Sequence, residues 1–151
     1  MAWDIILLQE VTVNMWDAIR AEISGDTYFY AYEAFGLAPE GRMPHCAALV
    51  SRNGFRLERP GQFPNLPRTE LGLAAITHVG NTEIALASWH APNASGDGVD
   101  VKMAGYRGFV DWINSTQGTV ITGFDSNHWE RWIKLEPQYF SDSNDPFLLE
   151  N

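Results

Sequence analysis

Three apolar runs of strand length, each running into a polar cluster, constrain this chain more than any other feature. Ile5-Ile6-Leu7-Leu8 leads into Gln9-Glu10, a run from Glu83 ends in Ser88-Trp89-His90, and Thr119-Val120-Ile121-Thr122 leads into Gly123-Phe124-Asp125-Ser126-Asn127. A continuous apolar run of this length suits a strand buried on both faces, and polar residues at its end are projected out of the sheet into a cleft. The pattern therefore predicts covered sheets with chemistry at one rim. The first run, so near the start, predicts an opening central strand with neighbours on both edges.

Between these runs the periodicity changes. Asn14 reads as an N-cap, with Trp16, Ile19 and Ile23 at helical spacing and Ser24-Gly25 as the stop. Thr27 to Phe35 is aromatic and strand-like, Gly36 to Pro44 reads as a loop, and His45 to Arg52 as a strand followed by the turn signal Asn53-Gly54. After a Pro/Gly-rich loop from Pro60 to Pro67, strands at Leu71 to Val79 and Glu83 to His90 are joined at Gly80-Asn81. A helix from Val101 to Asn114 carries Met103, Tyr106, Phe109, Val110 and Ile113 on its inner face, and a short helix is expected around Trp129 to Leu135. With no internal repeat and no linker, residues 1–151 read as a single mixed α/β domain, and the hairpin-joined strands argue against a purely parallel sheet.

Composition narrows the function classes. At 151 residues and 45% hydrophobic the chain suffices for one core, which excludes a disordered tail or a small disulfide scaffold. A formal charge of -9 repels nucleic acid and anionic membrane at long range, yet leaves room for a phosphate-cleaving enzyme because a bound divalent cation inverts the local field. The lone Cys46 lies in an apolar run and reads as a small buried hydrophobe. No run is long enough to span a membrane, and the first residues lack a signal-peptide pattern, so a cytoplasmic protein is the default.

Each polar cluster has two readings. Glu10 is either a hard-cation ligand or a cap for the following helix. His90, at a strand terminus ahead of a loop, is either catalytic or structural. Asp125 and Asn127 alternate with apolar residues, so in extended backbone they point to the same side, where they would hold water and a phosphate oxygen; an Asx-turn capping the next helix is the other reading. Arg42, Arg52, Lys102 and Arg107 are ordinary surface charges or local phosphate partners, and Trp89 and Trp129 fill the core or stack on a base.

Taken in order, the strand with Leu-Gln-Glu-Val, the strand ending in His-Ala-Pro, a Lys- and Arg-containing helix and the strand ending in Asp-x-Asn resemble the endonuclease/exonuclease/phosphatase superfamily over residues 4 to about 130. The resemblance implies a four-layered α/β/β/α sandwich of two mainly antiparallel sheets flanked by helices. It also implies a Mg²⁺- or Mn²⁺-dependent phosphoesterase acting by water attack on phosphorus, with a nucleic-acid, lipid or small phosphodiester substrate. Carried over, Glu10 is the metal ligand, Asp125 orients or deprotonates the water, Asn127 holds it and a phosphate oxygen, and His90 contacts the phosphate and supports the leaving group.

Departures from the pattern set further expectations. Phe124 stands where the family has glycine. The glutamate that partners the histidine in the deoxyribonuclease branch is missing or replaced by His45. The family's opening Trp-Asn strand and closing Ser-Asp-His are not matched, Ser141-Asp142-Ser143 included, and neither His78 nor His128 has the matching context. The expectation is thus an incomplete sandwich, truncated at both ends, with weak or absent hydrolysis and residual Mg²⁺ affinity at Glu10. The alternative is a non-catalytic remnant or interaction module, whose open sheet edges invite self-association.

Overall fold

The computed structural model describes residues 3–23, 27–40, 44–52 and 54–127. Strands β1 (Ile5–Thr12), β2 (Thr27–Tyr30) and β3 (His45–Ser51) form an antiparallel sheet in the order β1-β3-β2. Strands β4 (Glu58–Gly61), β5 (Gly72–Val79), β6 (Thr82–His90) and β7 (Thr119–Asp125) form a second sheet in sequence order, antiparallel except for the parallel β6–β7 pair. Helix α1 (Val13–Glu22) covers the first sheet and α4 (Val99–Ser115) the second, while α2 (Ala31–Phe35), a 3₁₀ turn at Thr69–Leu71 and α3 (Ala94–Asp97) line one end. This is the layered α/β/β/α arrangement that the resemblance implied.

The period-2 alternation of each strand assigns its residues to layers. In the first sheet Leu7, Leu49 and Phe29 share one register row and face the second sheet. The next row, Leu8, Ala48 and Tyr30, faces outward, where Trp16 of α1 stacks on Tyr30 at 4.7 Å between ring centroids. In the second sheet Leu73, Ala75 and Leu86 point into the core between the sheets, whereas Ala74, Ala87 and Trp89 point outward against Phe109 of α4. Two glycines permit the close approaches. A Cβ on Gly123 would sit 2.9 Å from the Leu7 side chain across the sheets, and one on Gly108 would sit 2.4 Å from the Pro64 carbonyl oxygen.

Several expectations change. β1 is not central: among the described residues it pairs on one side only, with β3. Its apolar run is explained by faces covered by α1 and the second sheet. The Thr27 to Phe35 segment is a strand only to Tyr30; Ala31, Glu33 and Ala34 favour helix, and Gly36, at φ 64, closes that helix in the left-handed conformation. The cap of α1 is Thr12 rather than Asn14, because the Thr12 side chain accepts from the Met15 N–H. Asn53-Gly54 does not close a hairpin, since β3 and β4 lie in different sheets. β4 takes up the start of the expected loop at Pro60. The expected helix at Trp129 to Leu135 lies outside the described residues. No described helix is long and apolar enough to cross a membrane.

Cys46 is fully buried on β3, and burial pushes its thiol up to about 11. The folded chain is therefore expected to leave a disulfide thiol probe unreacted at pH 8 and to titrate one thiol per chain once guanidinium unfolds it. Prompt reaction of the folded chain would contradict this burial.

Candidate active site

The carboxyl ends of β1, β6 and β7 and the start of β3 meet at one end of the two sheets. This follows from the pairing: β1 runs antiparallel to β3, placing Thr12 opposite His45, while parallel β6 and β7 place His90 beside Asp125. Since β3 enters where β1 leaves, Glu10 and His45 are delivered together by one sheet, and His90 and Asp125 by the other.

Glu10 reaches the site through a bulge. The β1–β3 register shifts between Leu8 and Val11, and Glu10 holds φ 54, a left-handed conformation uncommon for a side-chain-bearing residue. The bulge is held by its neighbour. Gln9 Nε2 donates to Ser88 Oγ at 2.8 Å and to the Gly123 carbonyl at 3.0 Å, while Ser88 Oγ donates to the Leu8 carbonyl at 2.6 Å. Gln9 and Ser88 thus tie the two sheets together beside the site. Sequence reading gave neither a role, although a serine two residues before His90 shares its face of the strand and was the available signal.

His90 is the hub. It is buried, with Glu10 Oε1 3.6 Å from Nε2 and Asp125 Oδ2 3.8 Å from Nδ1. Asn127 Nδ2 lies 3.0 Å from His90 Nε2 and donates to the Ala91 carbonyl at 2.7 Å. Because a carbonyl can only accept, the second contact identifies the nitrogen end of the amide. His90 Nε2 is then the acceptor, and the ring proton belongs on Nδ1, facing Asp125. That 3.8 Å gap is too long for a direct hydrogen bond, and Nδ1 has no partner among the described residues. Burial holds the His90 pKa below the ordinary histidine value; Glu10 and Asp125 oppose this and His45 reinforces it. The His45 and His90 rings meet edge to face, 5.5 Å between centroids. The residue standing where the family's partner glutamate was expected is therefore a neighbour of His90.

Asp125 and Asn127 do share a side, through a turn rather than through extended alternation. Asp125 Oδ1 accepts from the Asn127 N–H at 2.9 Å, and Asn127 sits at φ 47. The Asx-turn and the site reading are one structure: Oδ1 builds the turn while Oδ2 stays turned to His90. Two residues of α4 brace this segment, Lys102 donating to the Asn127 carbonyl at 2.5 Å and Tyr106 to the Ser126 carbonyl at 2.7 Å. Burial lowers the Lys102 pKa, with Asp125 opposing.

Other sequence candidates fall elsewhere. Arg52 follows the far end of β3, donating to the Trp3 carbonyl and lying over the Trp3 ring, away from the site. His78 lies exposed near Glu83. Trp89 is wholly buried and belongs to the core. Arg42, His128, Trp129 and Ser141 to Ser143 lie outside the described residues. At the site end, Arg68 is engaged by Glu70 at 2.5 Å and Asp97 at 2.7 Å.

The layered α/β/β/α fold is shared with several solved structures. No family model and no characterised protein matches the chain by sequence. Solved structures match it in fold. A humanized TDP2 of D. rerio matches at TM-score 0.64 and 12% identity, covering 87% of this chain and 52% of that one. ANGEL2, described as a 2',3'-cyclic phosphatase, matches at 0.59 and 20%, covering 84% and 40%. Sphingomyelinase C from Streptomyces griseocarneus matches at 0.59 and 15%, covering 92% and 57%. The chain thus spans about half the length of these structures or less.

A divalent cation fits the donors at this end. Glu10 offers a largely exposed carboxylate, and the ligand atoms of Glu10, His45 and His90 lie within 4.8 Å of one another. One carboxylate is sufficient for a hard cation that keeps several of its waters.

Proposed function

We propose that this end of the sheets is a metal-dependent phosphoesterase site, hydrolysing a phosphate ester by attack of water on phosphorus. The observation that carries the reading is the convergence of Glu10 of β1 and of Asp125 and Asn127 at the end of β7 on the buried ring of His90 at the end of β6, across the two sheets. Glu10 holds the cation, Mg²⁺ or Mn²⁺, which when bound supplies positive charge for the oxyanion that develops at phosphorus.

The remaining roles follow from the chain's own geometry. Asp125 Oδ1 is fixed in its turn, so Oδ2 is the oxygen that orients a water and takes its proton. The Asn127 amide keeps its place through the Ala91 carbonyl and steadies the water and a phosphate oxygen. His90, neutral by burial with its proton on Nδ1 towards Asp125, positions Asp125 and Asn127 around the phosphate. Lys102 and Tyr106 keep the Ser126–Asn127 backbone in register beneath the phosphate. Similarity to TDP2, a cyclic phosphatase and a sphingomyelinase supports the ester class and leaves nucleic-acid, lipid and small diesters as candidate substrates.

The superfamily's second catalytic histidine has no counterpart motif in this sequence. The 151-residue chain is therefore expected to hydrolyse bis(p-nitrophenyl) phosphate slowly with Mn²⁺, and Glu10→Gln is expected to abolish the Mn²⁺-dependent part. A Mn²⁺-dependent rate that Glu10→Gln leaves unchanged would remove Glu10 from the site.

A further inference from the structure

We propose that Glu10, His45 and His90 together form a two-histidine, one-carboxylate centre selective for a nitrogen-accepting transition ion such as Zn²⁺ over Mg²⁺. The proposal rests on the phosphoesterase reading for its cation beside Glu10, and it adds His45 and His90 as ligands and replaces Mg²⁺ with a transition ion. One ligand atom from each residue lies within 4.8 Å of the others, and the Glu10–His90 pair is already at 3.6 Å. Ligands sharing one tetrahedral zinc stand roughly 3.4 Å apart, given bonds of about 2.0–2.2 Å. Glu10 and His90 thus stand at about the separation of two ligands on one ion, and His45 offers a ligand atom within 4.8 Å of both.

The donor chemistry decides the ion. Mg²⁺ favours oxygen ligands in near-octahedral order, whereas imidazole suits zinc, copper, iron and nickel. Three protein ligands leave one position open on a tetrahedral ion, the arrangement of catalytic rather than structural zinc. With Nε2 on the metal, the buried Nδ1–H is left facing the Asp125 carboxylate 3.8 Å away, on the side where a metal-bound histidine commonly finds the group that orients it. The ion takes the place of the Asn127 N–H on Nε2, and the amide retains its bond to the Ala91 carbonyl. The bulge at Glu10 supports the assignment, since it is the local distortion that turns a carboxylate towards His90.

Calorimetric titration of chelator-stripped chain with Zn²⁺ and separately with Mg²⁺ tests this. One Zn²⁺ per chain is expected, with affinity about 10–100-fold weaker in His45→Ala and unchanged in His78→Ala. His45→Gln provides a second variant should the alanine chain fail to fold by circular dichroism. Co²⁺-loaded wild type is expected to show the strong visible bands of a four-coordinate, nitrogen-containing site, lost in the His45 variants. Zn²⁺ affinity indifferent to His45, or tighter binding of Mg²⁺ than of Zn²⁺, would overturn the centre. If His45-dependent Zn²⁺ binding is present without any hydrolysis, the phosphoesterase reading fails and the centre stands. Hydrolysis supported by Mg²⁺ and untouched by His45→Ala gives the reverse.

Discussion

Asp125→Asn is expected to reduce Mn²⁺-dependent hydrolysis of bis(p-nitrophenyl) phosphate by about 10²–10⁴-fold, the usual worth of a positioned general base. The substitution is chosen for what it preserves. Asparagine keeps the Oδ1 that accepts from the Asn127 N–H, so the turn survives, while the charge on the oxygen facing His90 is lost. The melting temperature should therefore move little. Loss of stability with the rate retained would mean that Asp125 serves only to build the Asx-turn. The comparison separates the two roles that one carboxylate occupies here, a separation Asp125→Ala would not achieve.

Trp89→Ala carries the largest expected effect on stability, about 3–5 kcal/mol from lost burial and the cavity left behind. Trp89 is fully buried, stacks on Phe109 at 4.7 Å and meets Tyr106 edge to face at 5.0 Å. It is thus the joint between β6 and α4, and α4 in turn supplies Lys102 and Tyr106 to the site segment. Trp89→Phe should cost much less than the alanine change. Phenylalanine keeps a stacking ring and removes an indole N–H that finds no acceptor among the described residues. Urea unfolding of both variants checks the order; equal losses would show that a stacking ring at this position does not carry the stability assigned to it.

What the sequence made legible, and what it did not, divides along physical lines. Strand existence and the rim position of Glu10, His90 and Asp125 followed from apolar runs ending in polar residues, because a two-sided core imposes that pattern on any chain that builds it. Trp89 as core followed from its place inside such a run. The bulge at Glu10 did not, since the preceding residues Ile5 to Leu8 carry no glycine to announce a left-handed residue. The end of β2 at Tyr30 was hidden because aromatic residues continue past it, although Ala31, Glu33, Ala34 and the Gly36 cap were the countersignal.

Edge and centre were not legible at all. Ile5 to Leu8 is apolar because helix and sheet cover its two faces, and that says nothing about how many strands lie beside it. Asn127 reached the side of Asp125 for a different reason from the one alternation gives, because its amide is turned back by a left-handed backbone. Gln9 and Ser88 went unread because a cross-sheet hydrogen bond leaves no periodic trace in either strand. The nearness of His45 to His90 was visible only through the resemblance, which left that position open between a missing partner and a histidine.

The central claim is that the rim formed by Glu10, His90, Asp125 and Asn127 is a metal-dependent phosphoesterase site. Its most direct measure is the rate of p-nitrophenol release from bis(p-nitrophenyl) phosphate by the purified 151-residue chain, first with excess chelator and then with Mn²⁺ restored in excess. The account predicts a rate indistinguishable from buffer under chelation and a slow, saturable rate on restoration that disappears in Glu10→Gln. A rate that survives chelation, or one that returns equally in wild type and Glu10→Gln, would contradict it.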